Sequence, residues 1–263
     1  MFSRAPGASK LDTLDLPFGG VDQSVEVYAV PSDDEAVQNI VFEHDIFSPL
    51  GPGKVYAEVA GEGPFATDAT KFAFFGAATA AWIHQLPEPP DVVHLHDWHA
   101  AFYFVLRDFD PRYAAMADIQ TVFTIHNIAY QGTRPLDGHQ SSLAAWFPDL
   151  AIETAIVRDP HVSECINPMA LAIRSADKVS TVSPTYATEI RRPSDPSRGF
   201  FGGEGLEEQL ENAARADRLV GILNGCEYHV NGDRRPRWRR ILALLAEQID
   251  GWCAKDPDDA SYA

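Results

Sequence analysis

Residues 92–106 read VVHLHDWHAAFYFVL. Val92, Val93 and Leu95 form an apolar run too short for a helix and suited to a buried strand. His94, His96, Asp97 and His99 then crowd into a few positions before a second apolar run, and an aspartate there can cap a helix over Ala100 to Arg107. A strand that passes into a helix through a short polar join is half of a crossover unit. The same pattern recurs downstream. Ile119 to Ile125 (IQTVFTI) reads as a strand ending at His126 and Asn127. Lys178 to Val182 reads as a third, with Ser183-Pro184 as cap and first turn of the next helix. Leu219 to Leu223 reads as a fourth, stopped by Asn224-Gly225. Pro168 opens a helix that runs to Ala176 between the second and third. Strands alternating with helices imply an α/β fold, a Rossmann-like, doubly wound and mostly parallel sheet. Ligands gather at the carboxyl ends of the strands in such sheets. The four loops carrying His94 to His99, His126-Asn127, Ser183 and Asn224 therefore belong to one rim.

Outside these units the signals are sparser. Gln23 to Val30 alternates like a strand closed by Pro31, and residues 43–66 hold too many Gly and Pro for a long element. Thr67 or Asp68 is placed to cap a helix with Phe72, Phe75, Trp82 and Leu86 on one face. The Pro-rich excursion over 131–168 offers one short helix near Leu143 to Phe147. Pro236 to Cys253 reads as a last amphipathic helix, with Trp238, Ile241, Leu242, Leu245, Ile249 and Trp252 on one side, before a frayed tail, DPDDASYA.

Composition excludes several classes. With 38 acidic against 21 basic residues, the chain carries a formal charge of -17 and should repel a phosphate backbone, so no nucleic-acid partner is expected. Cys165, Cys226 and Cys253 are widely spaced and make neither a disulfide framework nor a zinc ribbon. No secretory signal or membrane-length apolar run is visible, so a cytoplasmic protein without a membrane partner is expected.

Three imidazoles and a carboxylate in HLHDWH are ligand types that hold zinc. The spacing departs from the H-x-H-x-D-H signature of binuclear hydrolases, and no metal is expected. The alternative makes His94 and His96 hydrogen-bonded core residues of a buried strand, with Asp97 as helix cap. His99, at the helix start on the ligand side, is the candidate site residue. There is no G-x-S-x-G elbow for a serine hydrolase, and neither the P-loop nor the dinucleotide fingerprint is present. Gly202, Gly203 and Gly205 precede a helical run, but Glu204 among them disfavours phosphate, leaving a flexible hinge or an acceptor-contacting loop. The arginine-rich DRRPRWRR (233–240) reads as a solvated helix start or, alternatively, a diphosphate or RNA contact.

Assembled, these stretches resemble the bacterial glycogen synthase and plant starch synthase family, retaining glucosyltransferases of the two-domain GT-B fold. DVVHLHDWHAA (91–101), TVFTIHNIAYQG (121–132), SADKVSTVSPTYATEI (175–190), the GGEGLE loop (202–207) and GILNGCEY (221–228) occur in the family's order. The similarity covers roughly residues 40–230. It implies transfer of glucose from a nucleotide sugar, with ADP-glucose the expected donor, to an α-1,4-glucan with retention, and no cofactor. By motif, His99 and Asn224 would be the catalytic pair at the transferred glucose. Asp97, His126, Asn127, Tyr130 and Gln131 would bind substrate beside the acceptor groove.

Two departures qualify the resemblance. The family's opening loop, K-x-G-G-L-G-D, is matched only by LPFGGVD (16–22), which lacks the lysine and runs into a strand. The second Rossmann-like domain, which clamps the donor diphosphate, finds no counterpart. Residues 1–230 are therefore expected to form the first half of a GT-B fold, incomplete at its start, and 231–263 a helix and tail. Weak or no activity is expected from the chain alone, and the exposed interdomain face would favour self-association. The alternative function is a non-catalytic glucan-binding or regulatory module on the same half-fold.

Overall fold

A computed structural model describes residues 5–49, 51, 56, 66–225, 242, 243 and 246. The chain divides into two compact units, Met1–Asn224 and Gly225–Ala263. In the second unit, where Gly225, Leu242, Ala243 and Ala246 are described, the last three are helical. Most of the helix expected over 236–253, and the arginine-rich run before it, lie outside the described residues.

The strands of the first unit are β1 (Ser9–Phe18), β2 (Val21–Val30), β3 (Asn39–Glu43), β4 (Val92–His96), β5 (Gln120–Ile125), β6 (Arg134–Pro135), β7 (Cys165–Ile166), β8 (Lys178–Thr181) and β9 (Leu219–Gly221). Its helices are α1 (Ala66–Gln85), α2 (Asp97–Ala101), α3 (Tyr103–Phe109), α4 (Leu143–Trp146), α5 (Thr154–Val157), α6 (Pro168–Ser175), α7 (Pro184–Glu189) and α8 (Glu207–Arg215). The expected parallel sheet is present, with strand order β4-β5-β8-β9 and every pairing parallel. The four strands therefore end on one rim. At the opposite rim, the buried Thr121 hydroxyl and amide both donate to Asp177 Oδ2 at 2.7 Å, tying the start of β5 to the turn before β8.

The first sheet was only partly legible. β1, β2 and β3 form an antiparallel meander, of which only most of β2 was expected. LPFGGVD is its first turn: Phe18 pairs with Val21, and Gly19 (φ 67°) and Gly20 (φ 76°) supply the two left-handed residues that a tight hairpin needs. Leu14, Leu16 and Phe18 bury one side of β1. A hairpin turn is a different object from a loop entering a helix.

Helix α1 corrects the expected face. Phe75 is exposed, and Phe72 and Trp82 are half-buried, whereas Ala69, Ala73, Phe74, Ala77 and Ala80 are fully enclosed. Small residues win because α1 packs closely on the segment joining α2 to α3. A Cβ at Gly76 would come within 2.9 Å of the Phe102 and Tyr103 backbone. Thr67 and Asp68 lie inside the first turn and do not cap it, and buried Asp68 pairs with Lys71 at 2.9 Å.

Four further corrections concern the rim. The helix expected from Ala100 to Arg107 is two short helices, α2 and α3, meeting at Phe102. Asp97 is not their cap: His96 holds the N-cap position without a side-chain bond, and Asp97 begins α2 with a left-handed backbone, φ 54°. His94 and His96 are hydrogen-bonded but exposed and not core residues, because β4 is an edge strand that buries only Val93 and Leu95. Nor are the glycines of 202–205 a slack hinge. A Cβ at Gly202 or Gly203 would fall 1.9 or 2.3 Å from the carbonyl oxygens of Arg192 or Ile190. The excursion 131–168 holds α4 as expected, together with α5 and the small β6–β7 ladder. Ser183 caps α7, accepting the Tyr186 N–H at 2.9 Å.

Candidate functional site

Where β4 ends, the chain turns at once into α2, and this abrupt join sets His99 over the rim. Three aromatic rings enclose its imidazole. Trp98 lies 4.4 Å away at 31°, Phe72 meets it edge-on at 4.6 Å, and Tyr56 stands at 5.9 Å. The Tyr56 hydroxyl is 3.4 Å from Nε2. Burial pushes the His99 pKa below the usual histidine value, and the nearby carboxylates of Asp97 and Asp68 oppose that shift without cancelling it. A neutral imidazole results, able to donate and accept hydrogen bonds at an uncharged sugar hydroxyl.

The hollow in front of His99 measures 410 Å³ and is lined by Tyr56, Asp97, Trp98, His99, Asn127 and Tyr130, within the range of small-molecule sites, about 300–1,000 Å³. Residues from β4's end and from the loop after β5 thus meet in one cavity. Tyr130 presents a half-exposed ring, 53% accessible, of the kind that stacks on sugar faces. Next to it lies a second hollow of 200 Å³, sharing Trp98 and Tyr130 and bounded by Gln131, Gly132 and Thr133. Trp98 is held from below: a Cβ at Gly132, whose φ is +73°, would fall 2.2 Å from the indole Cε3. Only glycine fits under that ring.

The residues singled out from sequence divide into groups. Asp97, His99, Asn127 and Tyr130 line the first hollow, and Gln131 borders the second. The Gln131 amide is built into the wall: Nε2 donates to the carbonyls of Ile128 and Glu204, and Oε1 accepts from Asn167 Nδ2 at 2.7 Å. His126 turns from the hollow toward β4, where its Nε2 lies 3.0 Å from His96 Nδ1. The rings of His94, His96 and His126 are stacked, and burial followed by its two imidazole neighbours holds the His96 pKa below the usual value. His94 Nε2 continues the chain to the Thr124 hydroxyl at 2.7 Å. Asn224 follows β9 on the same rim, exposed, and is not among the residues lining either hollow.

The glycine loop belongs to this wall as well. Gly205 N–H donates to Glu207 Oε1, and Gly205 O accepts from His161 Nε2 at 2.8 Å. Gly202 N–H donates to Ser194 Oγ and Gly203 N–H to the Arg192 carbonyl, both at 3.0 Å, so the three glycine donors are spent internally. Among the described residues, no group of three or more His, Cys, Asp and Glu is arranged to hold a metal ion, and no helix is long and apolar enough to cross a membrane. Tyr56, Phe72, Trp98 and Gly132 are parts of the site that the sequence pattern does not single out. Tyr56 sits in a breaker-rich stretch with no periodicity to flag it, and Trp98 stands within HDWH, where the flanking histidines carry the stronger chemical signal.

Comparison with known proteins adds an independent line. The profile of the starch synthase catalytic domain matches residues 4–212. The glycogen synthase of Oceanobacillus iheyensis is 37% identical over 160 residues, covering 61% of this chain and 30% of that protein. That of Streptococcus equi subsp. equi is 34% identical over 189 residues, covering 71% and 36%. Among solved structures, the catalytic domain of starch synthase IV from Arabidopsis thaliana, bound to ADP and acarbose, superposes with a TM-score of 0.65 at 25% identity, covering 88% of this chain and 43% of that one. The chain spans about a third of the length of the curated relatives it matches.

Proposed function

Because the chain belongs to the starch synthase catalytic domain family, we propose that it is the glucan-facing half of a retaining glucosyltransferase. It moves glucose from a nucleotide sugar, ADP-glucose, to the end of an α-1,4-glucan. The observation that carries this reading is the neutral, aromatic-boxed His99 facing a 410 Å³ hollow closed by Asn127 and Tyr130. A transition state with oxocarbenium character gains from oriented neutral dipoles near the anomeric carbon, and a wall of rings keeps out the water that would hydrolyse the donor. Acid–base carboxylate pairs of the glycosidase kind are not needed for that role. In the solved starch synthase IV, ADP and acarbose occupy one protein together, which supports a nucleotide donor and a glucan acceptor for this chain. His99 acts on the transferred glucose and Asn127 and Tyr130 hold the acceptor side, while Asn224, on the same rim but outside both hollows, is assigned to the site by its motif alone.

The test is transfer of labelled glucose from ADP-glucose to glycogen by the purified chain. Incorporation should fall about 100-fold or more in His99→Ala, the usual loss when one oriented group at developing charge is removed. Transfer that persists unchanged in His99→Ala would refute the assignment. Binding of maltooligosaccharide that is unchanged in His99→Ala, with no transfer by either protein, would favour a non-catalytic glucan-binding module.

A further inference from the structure

We infer that Asp97 is a positioning residue: its carboxylate binds the protein's own backbone, and through it fixes the acceptor-side loop at a set distance from His99. This deepens the glucosyltransferase reading and rests on it. Two observations carry it. First, Asp97 Oδ1 accepts the N–H of His126 at 2.8 Å and the N–H of Asn127 at 3.3 Å, so one oxygen gathers the first two amides beyond the end of β5. Second, Asp97 is one of three non-glycine residues with positive φ among the described residues, at 54°. Side chains other than glycine rarely hold that conformation, and strain of this kind persists where the surroundings impose it.

The two observations explain each other. A right-handed residue after β4 would continue the chain on a different course and carry the carboxylate away from the neighbouring strand's end. The left-handed turn instead starts α2 immediately, placing His99 two residues on over the rim while the Asp97 side chain reaches sideways. The loop it catches carries Asn127 and Tyr130, which line the same hollow as His99. Asn127 Oδ1 in turn accepts the Ala129 N–H at 3.0 Å, so the loop's first turn is fixed as one piece once its amides are held. A second link between the strand ends, His96 Nδ1 to His126 Nε2, joins side chains and leaves the amides to Asp97. Asp97 thus couples the two strand-end loops that make the sugar site, without itself contributing a group that reacts.

The side chain and the backbone make separable demands. Asparagine keeps an acceptor oxygen and tolerates the left-handed region; glycine removes the strain but also the acceptor; alanine removes the acceptor and keeps the strain. The experiment compares wild type, Asp97→Asn, Asp97→Gly and Asp97→Ala by amide hydrogen exchange at His126 and Asn127, maltooligosaccharide affinity, and glucosyl transfer with kcat and KM separated. Asp97→Asn should retain amide protection and transfer within about tenfold, since a neutral acceptor makes a weaker bond than a carboxylate. Asp97→Gly and Asp97→Ala should lose protection at both amides and lower kcat about 100-fold, the loss typical of misplacing reacting partners by roughly 1 Å, with melting temperature no lower in the glycine variant than in the alanine one. Protection that survives in Asp97→Gly overturns the clamp. Protection lost with binding and transfer intact overturns the positioning role. Should the wild type neither bind nor transfer while its amides respond as described, the clamp stands and the glucosyltransferase reading falls.

Discussion

Gly132→Ala offers a strict test of how the hollow at His99 is built. The new Cβ would sit 2.2 Å from Trp98 Cε3 and 2.7 Å from Cδ2, far inside van der Waals contact. Trp98 cannot step aside, because only 2% of it is accessible and its ring packs on Phe72 at 5.2 Å. The left-handed backbone, φ +73°, costs an alanine about 1–2 kcal/mol. Forcing a methyl against an immobile ring adds the overpacking cost of about 1–3 kcal/mol. Together these predict a loss of about 2–5 kcal/mol. Gly138→Ala is the matched control: its φ is +72° and nothing lies within 4 Å of where its methyl would stand, so it should lose only the conformational part. The gain from a less flexible unfolded chain is common to both and cancels. Urea unfolding of the two variants should therefore differ by about 1–3 kcal/mol, and maltooligosaccharide affinity should fall only in Gly132→Ala, because Trp98 carries one side of the His99 box. Equal destabilisation of the two variants would refute the reasoning that Trp98 is pinned.

Other outcomes follow from the same contacts. Thr121→Val should cost about 1–3 kcal/mol in chemical denaturation, since it takes one hydrogen-bond partner each from the Asp177 carboxylate, the Arg107 guanidinium and the Asp177 amide. The pKa of His96 and of His99 lies below 6.5 in the folded protein; the unfolded chain then binds more protons, so their contribution to stability is complete above pH 6.5 and lost as pH falls through the folded values. Denaturation midpoints at pH 7.5 and 5.5 should show that loss, and His96→Gln should shrink it. Asn167→Ala should destabilise α6 by about 1 kcal/mol or more through loss of its N-cap bond to Ala170, measured by urea unfolding, while Gln131 loses only the bond at its Oε1 and keeps those from Nε2 to Ile128 and Glu204.

The parallel half of the fold was legible because each of its strands is a short apolar-rich run closed by polar residues, with a helix starting directly after β4 and β8. Val93, Leu95, Phe123 and Ile125 announce themselves by type, and Asn224, Ser183 and His126 mark the ends. The antiparallel meander was harder. SKLDTLDLPF alternates weakly, with Lys10, Asp12 and Asp15 dominating its exposed side, so β1 reads as polar coil until its partner is known. The face of α1 misled for a different reason: large aromatics suggest the core, yet close approach to Phe102 at Gly76 favours alanine inside and sends Phe72 to the rim, where it boxes His99. The place of His99 on the ligand rim, where it lines the hollow, was legible from position alone. The role of Asp97 was not, because an aspartate before a helix is an ordinary cap, and only the φ of 54° and the bonds to the next strand's loop distinguish a clamp from one.

The most direct measurement is a titration of the chain with a maltooligosaccharide, followed by NMR at the His99 imidazole and the amides of Asn127 and Tyr130. Saturable shifts centred on those three groups are the expected result. Shifts confined to the far rim, around Asp108 and Arg174 where a separate 690 Å³ depression lies, would contradict the placement of the sugar at His99.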